Sequence, residues 1–222
     1  GLLTHRCIMA HGVHLQEEDS DLLKKHGTAI AHCPLSNAFF ANGTLDCAKF
    51  MKRGNKIGLG TDVAGGYSPS MLHASRMAVV ASHYIQNHQN NNAPATQTTS
   101  ILSAPINPKS SRINGSNHAE NNKSNNNDAD TNANTDTLDY RHAFYLATLG
   151  GAEALGLSDK IGTFAIGMEL DAFVFSASSS LKSPVVVFDT DSVADVFQKL
   201  CTLGDDRNIR RVFVQGRQVM KD

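Results

Sequence analysis

The sequence predicts an α/β fold in which repeated βα units build a parallel sheet or barrel and a small β layer follows. Three observations carry this. Short apolar runs alternate with amphipathic stretches up to residue 85; one Asn-rich break interrupts the rhythm; and the last sixty residues turn to β-branched and aromatic runs separated by Gly and Asp.

Taken in order, Arg6 to Ala10 reads as a strand, Glu17 to His26 as a helix and Thr28 to Ala31 as a strand. Leu45 to Lys52 reads as a short helix and Lys56 to Gly60 as a buried strand. Pro69 to Tyr84 reads as a helix, because Met71, Ala74, Ala78, Ala81 and Ile85 keep the spacing of one helical face. Ser68 is its expected N-cap, with Pro69 at the first helical position. From Gln86 to Thr137, 14 of 52 residues are Asn and apolar side chains are scarce. Such a segment buries too little apolar surface to offset its ordering entropy, so a disordered surface loop is expected. Leu138 to Leu149 and Ala152 to Leu155 read as helices separated by Gly150 and Gly151. Ala172 to Phe175, Pro184 to Phe188 and Val212 to Val214 read as strands, with Gln215-Gly216 as a hairpin turn. The expected division is therefore 1–85, 86–137, 138–171 and 172–222.

Composition narrows the function classes. Among 222 residues, 20 Lys and Arg face 21 Asp and Glu, a net charge of -1. A nucleic acid or an anionic membrane surface is not expected as a partner, since phosphate binding needs a basic surface. No run of about 18 apolar residues is present, and nothing near Gly1 reads as a secretory leader. The four cysteines, Cys7, Cys33, Cys47 and Cys201, lie far apart without a C-x-x-C pair, which fits a reducing compartment and a cytoplasmic location.

The chemistry is expected at strand ends. Arg6 to Ala10 runs into His11, Thr28 to Ala31 runs into His32, and Ile57 to Thr61 runs into Asp62. In a parallel βα barrel those ends converge on the face where active sites are built. Imidazole and carboxylate are ligands for a catalytic Zn²⁺ or Fe. Each residue also fits a plainer part: a histidine at a core edge, or an aspartate in a turn or capping a helix. Coincidence at three consecutive strands favours a shared site. Gly58-Leu59-Gly60 lacks dinucleotide-loop spacing, and His118-Ala119-Glu120 lacks the P-C-x-x-C of small zinc deaminases. The other histidines, His73 among them, lie on expected loops and helix surfaces and are assigned no chemistry.

Ile8-Met9-Ala10-His11-Gly12, Ala31-His32-Cys33-Pro34-Leu35-Ser36-Asn37 and Gly58-Leu59-Gly60-Thr61-Asp62 together resemble the amidohydrolase superfamily, in its deaminase and chlorohydrolase branch. Gly58 to Leu72, Leu146 to Gly151 and Leu203 to Ile209 resemble the members of that branch that act on guanine. The likeness spares only the Asn-rich segment. It implies the C-terminal part of a (β/α)8 TIM-type barrel, strands six to eight, plus part of a small β-sandwich. It implies hydrolysis of a small-molecule purine, guanine, to xanthine and ammonia, with one Zn²⁺ or Fe per site, and a homodimer as in many members. His11 and Asp62 would be catalytic. Asp62 would bind the metal and shuttle the proton, and His11 would hydrogen-bond the attacking water. His32 would orient the site from behind rather than bind the metal.

The resemblance also implies an H-x-H pair on strand one, substrate contacts from strand four and an H-x-x-E on strand five. None of these belongs to the strands present here. The chain is therefore expected to be part of a longer hydrolase, inactive alone. Two other readings fit the same residues: a non-catalytic product serving as an interaction module, and a deaminase of another aminated heterocycle.

Overall fold

A computed structural model describes residues 1–40, 43–92, 137–177 and 183–220. Two three-stranded sheets organise them. The first is parallel and contains β1 (Ile8–Ala10), β2 (Ala29–His32) and β3 (Ile57–Leu59) in sequential order. Ile8 lies opposite Ala29, and Ile30 opposite Ile57. The crossover after β1 is α1 (Glu17–His26), as expected from the sequence. Its acids Glu17, Glu18 and Asp19 stand at the positive end of the helix dipole, and Lys24, Lys25 and His26 at the negative end. Gly27 closes it at φ 68°, a left-handed conformation that glycine adopts without a Cβ clash.

Two helices join β2 to β3: α2 (Pro34–Phe39), which the sequence reading left out, and α3 (Cys47–Lys52). After β3 comes α4 (Met71–Asn92). Its start corrects the expectation of a Ser68 cap. Ser70 takes that part, its Oγ accepting from the His73 N–H at 3.3 Å, while Ser68 Oγ accepts from the Ser70 N–H at 3.2 Å. Its end corrects the expected break as well, because Gln86 to Asn92 continue the helix. The rest of the Asn-rich segment, residues 93–136, lies outside the described residues, and His118 with it.

The next helices are α5 (Tyr140–Ala147) and α6 (Leu149–Leu155). They divide at Thr148, not at the Gly150-Gly151 pair, which lies inside α6. The glycines have a different task. A Cβ on Gly150 would stand 2.8 Å from the Ile57 carbonyl oxygen, and one on Gly58 would stand 3.0 Å from the Gly151 Cα. They let α6 lie directly on the β3 backbone. The core between sheet and helices holds Ile30, Leu35, Ala74, Ala78 and Leu146, all fully buried.

The second sheet is antiparallel: β4 (Ala172–Phe175), β5 (Ile209–Val214) and β6 (Arg217–Met220), with β5 in the centre. Gln215 and Gly216 have φ of 51° and 74°, the positive pair of a tight hairpin, as expected. Between β4 and β5 lies α7 (Val193–Leu203), a helix the sequence reading did not include. The expected strand Pro184 to Phe188 does not form. Pro184 has no N–H, Val185 gives its N–H to Ser183 Oγ and Phe188 gives its N–H to Asp191 Oδ2, so local side chains take the donors a ladder would use.

Candidate active site

The ends of β1, β2 and β3 bring two of the three expected residues together. His11 follows β1, and its N–H donates to the Ala31 carbonyl at 2.9 Å, extending the sheet by one residue. Its backbone then turns to φ 69°, the left-handed region, followed by Gly12 at 68°. Such a conformation costs a non-glycine residue on the order of 1 kcal/mol, so the surrounding contacts must hold it. The ring is held by Asn37, whose Oδ1 lies 2.8 Å from His11 Nδ1. With a carbonyl oxygen as partner, Nδ1 carries the proton and Nε2 is left to face Asp62 Oδ2 at 3.8 Å. That gap exceeds a direct hydrogen bond. Both side chains keep about two fifths of their surface exposed, 40% and 38%.

Asp62 serves as both turn residue and candidate acid/base. Its φ is 51°, and its carbonyl accepts the Gly66 N–H, closing the loop. A Cβ on Gly65 would lie 2.6 Å from Asp62 Oδ2, and one on Gly66 would overlap the Thr61 carbonyl oxygen at 1.9 Å. The Gly-Gly pair therefore lets the loop fold back against the aspartate. The helix-cap alternative for Asp62 does not hold, since Ser70 starts α4.

His32 ends β2, the strand between those that lead to His11 and Asp62. It is 1% exposed, and neither ring nitrogen meets a hydrogen-bond partner among the described residues. Burial holds its pKa down to about 4, so the ring is neutral. Among the described residues it makes no hydrogen bond to His11 or Asp62. Next to it, burial and then the Asp62 charge push the Cys33 thiol up, which keeps it protonated and a poor ligand. The literal H-x-x-E from His14 to Glu17 is no part of the cluster, because Glu17 begins α1 and pairs with Lys49 and Arg53. An apolar cleft between α4, α5 and α7, lined by Leu72, Val79, Phe144 and Cys201, contains none of the strand-end residues.

Asn37 is the participant that sequence reasoning missed as a site residue. Its signal was present: it lies five residues after His32 in the same loop motif, and polar residues beyond a strand end are candidates as a group.

A metal does not fit these residues alone. Among the described residues, no three of His, Cys, Asp or Glu come together, and a catalytic metal takes about three protein donors. Asp62 is a single donor.

Fold and strand-end geometry define a βα unit that gathers polar residues at one end of its parallel sheet, and comparison with known proteins names the family. The amidohydrolase family model matches residues 1–108 and 116–219, so the chain belongs to the amidohydrolase family. It is 39% identical to mouse guanine deaminase over 99% of its own length and 39% of that protein. It thus spans about two fifths of the curated relatives it matches. Among solved structures it resembles the guanine deaminase of E. coli, with a TM-score of 0.69, 29% identity, and coverage of 100% of this chain and 40% of that one. It also shares its fold with an adenosine deaminase from Xanthomonas campestris solved with bound zinc, with a TM-score of 0.66, 20% identity, and coverage of 100% of this chain and 38% of that one. TIM-barrel-type amidohydrolases are therefore its structural neighbours, and here it is a partial α/β unit with two small sheets. No helix of the described residues is long and apolar enough to cross a membrane.

Proposed function

We propose that this chain supplies the last three strands of an amidohydrolase barrel, β1 to β3 standing sixth to eighth, in a protein that hydrolyses guanine to xanthine and ammonia. The observation that carries it is the 39% identity to mouse guanine deaminase along 99% of the chain, through all three strand ends. The β4–β6 sheet would be part of the accompanying β-sandwich. Net reaction is addition of water across the purine C2–N bond: a C–O bond forms, the C–N bond breaks, and the exocyclic amine leaves as ammonia.

Within that reaction, Asp62 Oδ2 takes one proton from the attacking water and delivers it to the departing nitrogen. His11 Nε2, the ring nitrogen that Asn37 leaves free, accepts a hydrogen bond from the water's second O–H and orients the tetrahedral centre. The 3.8 Å between Nε2 and Oδ2 brings both acceptors to one small region of the face, so one water can meet both. The expected Zn²⁺ or Fe retains Asp62 as its one donor here, and the other donors would come from outside these residues. A cytoplasmic location is supported by the four free thiols, and a homodimer by the family resemblance alone.

The test is direct. The complete protein, incubated with guanine, is expected to release ammonia and xanthine in equal amounts. Turnover of adenine or cytosine instead would replace the substrate assignment, and turnover of none of them would overturn the enzyme reading.

A further inference from the structure

We infer that Asn37 is the positioning residue that fixes the ring orientation and tautomer of His11, an inference that rests on the proposed deaminase reading. The two residues are 26 positions apart and come from different strand ends. Asn37 is 2% exposed, whereas the His11 side chain it holds is 40% exposed. A buried amide thus reaches outward to a ring at the surface. Asn37 is itself fixed by the first turn of α2. Its N–H donates to the Cys33 carbonyl at 3.1 Å, Pro34 occupies the start of the helix, and Ser36 Oγ donates to the same Cys33 carbonyl at 3.3 Å. The side-chain Nδ2 meets no partner among the described residues, so the carbonyl end is the part of the amide that has a bonding task, and its task is His11.

Backbone and ring are held from one source. Ala31 of β2 accepts the His11 N–H, and Asn37 just beyond β2 accepts from Nδ1. Left without Asn37, the ring could rotate about its side-chain bonds or place its proton on Nε2, which would then face Asp62 as a donor instead of an acceptor. The Asp62 carboxylate competes for the ring proton from the Nε2 side, but at 3.8 Å it is beyond hydrogen-bonding reach, whereas Asn37 is at 2.8 Å. Asn37 therefore acts through His11 and touches no substrate.

Two variants and one spectroscopic readout test this in the complete protein. Asn37→Leu keeps the side-chain size and removes the acceptor; Asn37→Asp keeps an oxygen at the same place. Loss of a residue that orients a functional histidine costs about 10–100-fold. The leucine variant is expected to lose kcat by about that factor with KM for guanine changed less than about threefold, and aspartate is expected to restore most of it. Nitrogen chemical shifts of labelled histidine should show Nδ1 protonated and Nε2 bare in the unsubstituted protein, and a mixture in Asn37→Leu. Unchanged kcat in a folded Asn37→Leu protein, a loss confined to KM, or no rescue by aspartate would overturn the inference. A bare Nδ1 in the unsubstituted protein would overturn it without any variant. If the unsubstituted protein does not turn over guanine, the functional reading fails, while the nitrogen shifts still decide the part played by Asn37.

Discussion

The two three-stranded sheets use similar side chains and differ in how far they are covered. Ala29, Ile30, Ile57 and Leu59 on β2 and β3 of the parallel sheet are buried, with Ile8 of its edge strand β1 exposed, whereas Phe173, Val174, Val214, Val219 and Met220 of the antiparallel sheet are exposed. The difference lies in coverage. Parallel strands need helical crossovers, and those helices then cover the sheet. Here α6 seats its glycines on β3, and α4 buries Ala74 and Ala78 against its neighbours. Of the antiparallel strands, β5 and β6 are joined by the tight turn at Gln215-Gly216, and the α-helix between β4 and β5, α7, leaves these side chains exposed. The polar groups divide in the same way. His11, Asn37 and Asp62 meet at the ends of the covered sheet, while Asp171 near the other sheet only ties the hairpin, accepting the Gln215 N–H at 2.7 Å. The candidate site thus stands over the better packed of the two sheets.

This comparison can be broken most sharply by exchanging its two aspartates. In the complete protein, Asp62→Ala is expected to lower guanine turnover by about 10²–10⁴-fold without unfolding it, whereas Asp171→Ala should leave turnover within about threefold. Equal losses would erase the distinction between the sheets. Next in size, Leu146→Ala beside the parallel sheet should cost about 2–5 kcal/mol by denaturant unfolding, because it opens a cavity at a fully buried site. Val219→Ala, 57% exposed, should stay within about 0.5 kcal/mol. A third test uses pH. His32 has a folded pKa of about 4 against an ordinary 6.5, so between those values the unfolded chain takes a proton that the native ring refuses. Stability should fall as pH drops from 6.5 to 4, by about 3 kcal/mol in all, and then level off. His32→Leu should remove that slope in melting curves, and an unchanged slope would assign it to other groups. The smallest of the expected losses concerns a helix that covers the sheet. Asp139 Oδ1 accepts the Arg141 and His142 N–H groups at 2.9 and 3.0 Å at the start of α5, and Asp139→Ala should cost about 1 kcal/mol.

Much of the first sheet was legible because its signals are local. Helix α1 matches the expected Glu17 to His26, since its acidic start, basic end and Gly27 all act within a turn of the helix terminus. The three strands were recognised within two residues at each end, by short apolar runs that end in polar residues. Misreadings came where distant atoms decide. Gly150-Gly151 looked like a break and is an approach surface for Ile57. The β-branched run 184–188 looked like a strand and lost its donors to Ser183 and Asp191. Of the candidate site, His11 and Asp62 were legible as strand-end residues; Asn37 stood in the same motif, but its contact with a ring 26 positions away was not legible.

By itself, then, the sequence determined the three parallel strands, helix α1 and which residue types stand at the strand ends, since capping, periodicity and steric preference are short-range. Only the tertiary structure decided which of those residues meet. It turned His32 inward to a neutral, buried ring, set His11 against Asn37, and left Asp62 3.8 Å away. Burial and hydrogen-bond partners depend on elements folded together across the chain, and no local pattern specifies them.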